Sequence, residues 1–228
     1  MIEETLFILG AAVVLDFILG DPPNKLHPTA WIGRSFSIIK PMLKNQYAIT
    51  EKIKGSVAVI AIVSLVVLST YYFLYALENF LGVIALIISS IILLKSTIAI
   101  RGMEKHALAV VDALENDDID QARDNLAMIV KRKTKNLDKN HILSGVLESI
   151  SENTVDGITG PLFYYAIFGL PGAFVYRAIN TVDSMIGYKT TLFKNVGWFG
   201  AKCDTVLNYA PSRLTGLVMI LGALILGY

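Results

Sequence analysis

Apolar residues run without a single charge from 55 to 77 and, interrupted only by Lys95, from 80 to 100. Each run reaches the ~20 residues with which a helix crosses the hydrocarbon core of a bilayer. The pattern therefore predicts two membrane helices joined at Glu78-Asn79 as a tight hairpin. Tyr71, Tyr72, Tyr75 and Phe80 gather at that end, where an aromatic belt belongs. Lys95 lies near the opposite end, from which its stem can carry the ammonium out to the head groups. Residues 5–20, with Asp16 inside, and 214–228 are shorter apolar segments; at ~1.5 Å per residue they barely cover the core. Between 157 and 178 the apolar run is broken by Pro161, Gly169, Pro171 and Gly172. Such a break suits a re-entrant or discontinuous segment better than a plain span.

From 101 to 152 the spacing changes to that of amphipathic helices. Met103, His106, Ala107, Val110, Val111 and Leu114 recur with helical period. Asp118 with Gln121 reads as a capping box opening a second helix with Ile119, Ala122, Leu126 and Ile129 on one face. The basic run at 131–133 suits that helix's C-terminus. Asp138 caps a third helix bearing Ile142, Val146, Leu147 and Ile150. His106 and His141 read as helix-surface or packing residues. No strand alternation appears. The expected fold is all-α: a polytopic helical membrane protein with a re-entrant or broken segment and a soluble helical insert. Its parts are N-terminal membrane helices (1–100) with a cytoplasmic loop (21–54), the cytoplasmic insert (101–152), and a unit of re-entrant segment, polar motifs and last membrane helix (153–228).

Composition sharpens this picture only in places. The chain is 54% hydrophobic and 17% charged with net charge +1, so nothing argues for a nucleic-acid partner. The lone Cys203 excludes an internal disulfide and reads as a small apolar filler. Glu3 and Glu4 precede the first apolar run, unlike the basic start of a secretory signal. Charge placement says more. The link 21–54 carries six Lys/Arg, Glu78-Asn79 none and 101–156 eight. The positive-inside rule puts the first and third in the cytoplasm. A turn-back of 157–178 keeps the link 177–213, with five Lys/Arg, on that same side.

Candidate chemistry concentrates between 148 and 188. Glu148 and Glu152 are i,i+4 neighbours, and Asp156 extends their edge. Like charges at that spacing cost a few tenths of a kcal/mol in an isolated helix, and more beside a membrane. Two readings stand: an exposed acidic helix end, or a site for a hard cation such as Mg²⁺ held with Asn153 or Thr154 and phosphate oxygens. Further on, Arg177, Asn180, Thr181 and Ser184 share one helical face. Arginine offers a planar fork for phosphate or carboxylate, and Asp183 can help hold a metal. Asp16 and Asp21 bracket the end of the first apolar segment; Asp16 is a functional candidate or a partner for a neighbouring helix. His27 is an acid/base candidate or a loop residue. No Walker P-loop, zinc-ligand spacing or nucleophile elbow is present.

Several longer stretches carry a resemblance: Asp16-Phe-Ile-Leu-Gly-Asp-Pro with His27-Pro28 and Ile32-Gly33; Glu104-Lys-His-Ala; Glu148-Ser-Ile-Ser-Glu-Asn-Thr-Val-Asp-Gly; Tyr176-Arg-Ala-Ile-Asn-Thr-Val-Asp-Ser-Met-Ile-Gly-Tyr-Lys; Gly197-Trp198; and Asn208-Tyr-Ala-Pro-Ser-Arg-Leu-Thr. In this order, over nearly the whole chain, they resemble the CbiB/CobD family of cobalamin biosynthesis, the adenosylcobinamide-phosphate synthases. The resemblance implies a cell-membrane enzyme that uses ATP and Mg²⁺ to join the corrinoid adenosylcobyric acid to aminopropanol or its phosphate through an amide. It implies catalytic roles for Glu148, Glu152, Arg177, Asp183 and His27, with Glu148 or His27 as base. Mg²⁺ would fall to Glu152, Asp156 and Asp183. Substrate binding would fall to Asp21, Asn153, Asn180, Thr181, Tyr188, Lys189, Asn208 and Arg213, with Arg177, Lys189 and Arg213 as the phosphate or carboxylate clamp. Family members continue well past the Asn-x-x-Pro-x-Arg motif, whereas this sequence stops at Tyr228. A short form, a fragment or one part of a two-part enzyme is the expectation, with a homo-oligomer or a separate C-terminal partner both open. The rival readings are a small-molecule membrane transporter and a non-catalytic corrinoid-binding subunit.

Overall fold

The computed structural model describes residues 2–21, 25, 27–186 and 193–227, and among these every regular element is helical. α1 is Ile2–Leu19, α2 Pro28–Ile39 and α3 Ala48–Lys95. The insert comes next as α4 Ile100–Glu115, α5 Ile119–Ala127 and α6 Lys139–Thr154. A π-helical turn, Val155–Thr159, leads into α7, Gly160–Ile186. α8 Trp198–Leu207 and α9 Tyr209–Leu226 complete the order. Among the described residues, three helical stretches are long and apolar enough to cross a membrane, lying within Ala48–Glu115, Lys139–Met185 and Tyr209–Leu226. Ile60, Leu65, Leu68, Ile84 and Ile88 on α3, and Val218, Leu221 and Ile225 on α9, are exposed. Apolar exteriors of that extent are unsuited to water and suit lipid. The all-α polytopic membrane fold is thus what the sequence pattern implied.

Two of the long helices double back at a glycine. α3 breaks at Gly82 (φ 82°, ψ 176°), a conformation that glycine adopts without a Cβ clash. Beyond the break the chain returns. Val59 packs on Gly200, which also meets Val182 of α7. At the far end of α3, the Ala99 N–H donates to the Gly157 carbonyl, just before α7 begins. A straight helix would hold residues 59 and 95 about 54 Å apart. The hairpin corner therefore sits at Gly82, and Glu78-Asn79 is still helical, contrary to the expected link. Neither residue there supplies the left-handed geometry the corner uses.

α7 breaks in the same way at Gly169 (φ 65°, ψ −159°). Its two arms then lie against each other. Tyr164 stacks on Tyr176 with ring centroids 5.4 Å apart. A Cβ on Gly172 would run into the Tyr164 carbonyl and Phe168, and one on Gly160 into the Tyr176 ring. The expected turn-back of 157–178 is what this hairpin does. Glycines at 160 and 172 allow the close approach.

The insert packs as expected around Ala107, Val110, Leu114, Ala122, Leu126, Ile142 and Val146. Asp118 caps α5 by accepting from the Gln121 N–H, and Asp138 caps α6 by accepting from that of His141. Three details differ. The Gln121 side chain turns to Asn125 instead of back to the cap, Leu147 is exposed, and α5 ends before the basic run. α6 continues through 152 to Thr154 and directly into the π turn.

The joint between α1, α3 and α4 is polar and buried. Asp16 is fully buried, and its Oδ2 accepts from the N–H groups of Ile100 (2.9 Å) and Arg101 (3.2 Å). It thereby caps α4 from another helix, satisfying donors that a helix start leaves open. Lys95 lies 3.7 Å from Asp16 Oδ1 and donates to the Gly20 carbonyl. Arg101 closes the end of α1 by donating to the Phe17 and Ile18 carbonyls. Lys95 is therefore an interior cation and does not reach the head groups, since a buried carboxylate holds it. Of the two readings of Asp16, the partner for neighbouring helices is the one seen.

Candidate active site

The π turn between α6 and α7 and the doubling back of α7 bring the two sequence motifs together. Arg177, on the returning arm, donates from Nη1 to the Asp156 carbonyl at 3.0 Å. Its Nε is buried and has no hydrogen-bond partner. An unpaired buried donor on a permanent cation is costly, and an anion would relieve it. On one side of Arg177 lies a cleft of ≈ 290 Å³. Asp21, Gly102, His106, Ser149, Asn153 and Arg177 line it, so the N-terminal motif, the insert and α7 all contribute. Burial, aided by Asp16, holds the Asp21 carboxyl above its ordinary range. Burial and the Arg177 charge push the His27 imidazole below its own, which keeps it neutral near pH 7. His27 Nδ1 is 2.7 Å from the Thr29 hydroxyl.

Asp156, whose carbonyl Arg177 holds, belongs to an acidic network. Asn208, where α8 gives way to α9, donates from Nδ2 to Asp156 Oδ1 (3.2 Å) and Asp204 Oδ2 (3.1 Å). The Tyr176 hydroxyl donates to Asn208 Oδ1 at 2.5 Å. Asn180 donates to Asp204 Oδ1 at 3.4 Å. Burial first, then the nearby charges of Asp156 and Asp183, raise the Asp204 carboxyl to about 6. Both burial and like charge disfavour its ionised form. Among the described residues, no three His, Cys, Asp or Glu side chains form a ready metal cage.

The expected site residues divide accordingly. Asp21, His27, Asn153 and Arg177 meet at or beside the cleft, and Asp156, Asn180, Asp183 and Asn208 at the network. Glu148 is turned outward and pairs with Arg132 at 3.2 Å. Glu152 is also exposed on α6, so the helix edge they share with Asp156 does not converge: the π turn rotates Asp156 inward. Thr181 packs its methyl toward Gly33 of α2. Arg213 folds over the Tyr209 ring, 3.5 Å from its centroid, and bonds its carbonyl. Tyr188 and Lys189 lie outside the described residues. Sequence reasoning missed Asp204, Tyr176, His106 and Ser149 as site residues. The signal for Asp204 was its place one helical turn before Asn208.

The chain matches the model of the CobD/Cbib protein family over residues 9–226. It is 40% identical to the probable cobalamin biosynthesis protein CobD of Methanothermobacter thermautotrophicus over 220 residues, 96% of this chain and 70% of that protein. This chain belongs to the CobD/Cbib family. It is also 39% identical to the probable CobD of Pyrococcus abyssi, over 94% of this chain and 71% of the relative. The cobalamin biosynthesis protein CobD of Clostridium perfringens is 38% identical over 93% and 67%, respectively. No solved structure matches the chain. Cobalamin biosynthesis and membrane character are therefore the setting in which this site works.

Proposed function

We propose that the chain carries out ATP-dependent amide ligation, joining a propionate carboxylate of adenosylcobyric acid to the amine of aminopropanol or aminopropanol phosphate. The observation that supports it most is Arg177, an arginine with a buried unpaired Nε that lines an open cleft and holds the carbonyl of Asp156. Amide ligation from a free carboxylate needs both an anion clamp and a cation site. The carboxylate oxygen attacks the γ-phosphorus of ATP and ADP leaves. The amine then attacks the acyl phosphate carbon, inorganic phosphate leaves, and a base takes the amine proton.

Arg177 suits the clamp on phosphate or carboxylate oxygens. His27, kept neutral by burial and by Arg177, is the better base, because Glu148 faces away from the cleft. Asp156 and Asp204, with Asp183 beside them, fit Mg²⁺, which takes one or two carboxylates and completes its shell with water and phosphate oxygens. Bound there, the ion would offset phosphate charge. Asp21 and Asn153 would position the amine at the cleft. At ≈ 290 Å³ the cleft suits a phosphate group or the small amino alcohol and not a whole corrinoid, so the corrinoid would present only its carboxylate. By the positive-inside rule the basic links favour a cytoplasmic side for this junction, where ATP would be available.

The test is detergent-solubilised protein with ATP, Mg²⁺, adenosylcobyric acid and aminopropanol phosphate, with ADP release and corrinoid mass as readouts. ADP release that requires both organic substrates supports ligation. Arg177→Ala and Asp183→Ala should abolish product while leaving membrane insertion intact. Near-normal turnover in either would refute its assignment, and corrinoid binding without turnover would favour a binding subunit.

A further inference from the structure

Residues near the start of α8, with the chain entering α3, form a second polar surface. Lys194, Trp198, Ala201, Lys202 and Thr205 line a groove of ≈ 260 Å³. Lys52 Nζ stands 5.4 Å over the Trp198 ring. Lys40 and Lys44 stand 4.1 Å and 5.5 Å over Phe193. Lys40 is tied to the Met185 carbonyl and Lys44 to Glu51, whereas Lys52, Lys194 and Lys202 are exposed. Glu51, beside Lys52, is already shared between Lys44 and Asn195. Cations gathered this way favour an anion between them.

The surroundings decide which anion. Lys52 stands three positions before the charge-free run that begins at 55. Ile38, Met42, Tyr47, Ile49 and Ile53 are all exposed nearby in the chain, and Trp198 is 44% exposed with an apolar wall beside it. Lysines above exposed aliphatic and aromatic side chains, at the mouth of a membrane helix, match the polar–apolar boundary of a lipid leaflet. A freely soluble anion would need no such apolar rim.

We propose that the Lys194–Trp198–Lys202 groove binds the headgroup phosphate of an anionic phospholipid, with Lys52 and Trp198 at its edge. The lipid fixes α8 and the base of α3 at the membrane surface. α8 also carries Asp204, so the same contact holds one wall of the acidic network at a set depth.

The test uses the full chain in liposomes, with Trp31→Phe leaving Trp198 as its one tryptophan. Phosphatidylglycerol and phosphatidylcholine, each brominated high on the acyl chain, are compared as quenchers of Trp198 fluorescence. Brominated phosphatidylglycerol should quench at a much lower mole fraction, and raised salt should shrink the difference. Adding Lys194→Gln and Lys202→Gln should lower the preference about 30-fold, which at about 1 kcal/mol per lysine near an anionic surface is about 2 kcal/mol. Lys133→Gln with Lys135→Gln, on the insert, should leave it unchanged. Equal quenching by the two lipids in the parent protein would overturn the proposal without need of a variant. So would a preference that survives the Lys194/Lys202 substitutions, or displacement of the lipid by inorganic phosphate, which would make this a site for a soluble anion.

Discussion

Asp16 and Lys95 offer the sharpest measurement on this fold, because two charges buried together behave differently from one buried alone. Asp16 is fully buried and Lys95 nearly so, at 0% and 6% exposure. Their 3.7 Å separation makes an ion pair but not a hydrogen bond, and Asp16 Oδ1 has no other partner. Asp16→Asn keeps an oxygen to cap α4 but leaves the Lys95 ammonium without its counter-charge. Lys95→Met leaves the carboxylate uncompensated apart from the two N–H groups it caps. Removing one partner of a buried pair costs about 3–5 kcal/mol. The two backbone donors on Asp16 and the Gly20 carbonyl on Lys95 put each single variant near the lower end, about 3 kcal/mol. The double variant buries no charge, so its loss should fall short of the sum by about 2 kcal/mol. Unfolding in mixed detergent–SDS micelles, monitored by circular dichroism, gives the three free energies. Additive losses, or single losses below about 1 kcal/mol, would refute the claim that the pair is desolvated and coupled.

The site and the α7 hairpin lead to two further outcomes. Asp204 has its carboxyl raised to about 6 from an ordinary 3.8, so the folded state holds this proton more tightly than the unfolded chain. Its ionisation therefore carries a penalty to stability; the penalty is absent below about pH 4, grows between about 4 and 6, and stays constant above. Asp204→Asn should raise stability by about 1–2 kcal/mol at pH 7.5, after allowance for solvent screening, and not at pH 4. Magnesium should stabilise the parent protein at pH 7.5 and the variant much less, and equal gains would remove Asp204 from the cation site. Gly172→Val places a branched side chain where the Tyr164 carbonyl and Phe168 already touch the backbone. The arms must part, and a loss of about 1–3 kcal/mol in the same SDS titration is expected, whereas Gly216→Val, with open space around it, should change little.

The difference between what the sequence conveyed and what it hid lies in how each feature is encoded. Charge-free runs of helical length and the 3.6-residue spacing of the insert are one-dimensional signals, and they led directly to α3 and the packed trio α4–α6, while the shorter run 214–228 pointed to α9. The Gly/Pro-broken stretch at 157–178 likewise announced a reversal, because only a break lets an apolar segment return to the side it came from. The corner of the α3 hairpin went elsewhere because it depends on one residue's left-handed geometry, and Gly82 has it while the more polar Glu78-Asn79 does not. Site membership was harder still. Glu148, Glu152 and Asp156 share an edge on an ideal helix, but one π turn at Val155–Thr159 shifts the register. That turn leaves the two glutamates in solvent and swings Asp156 under Arg177 and Asn208. The carboxylate that joins Asp156 through Asn208 is Asp204, arriving from a helix about fifty residues further along the chain. Local periodicity carries no information about such a partner, whereas the unpaired Nε of Arg177 and the perturbed carboxyl of Asp204 do. Among the described residues they mark two places where burial works against a charge, linked through Asp156. A ligation that brings a phosphate and a divalent cation together would balance both at once.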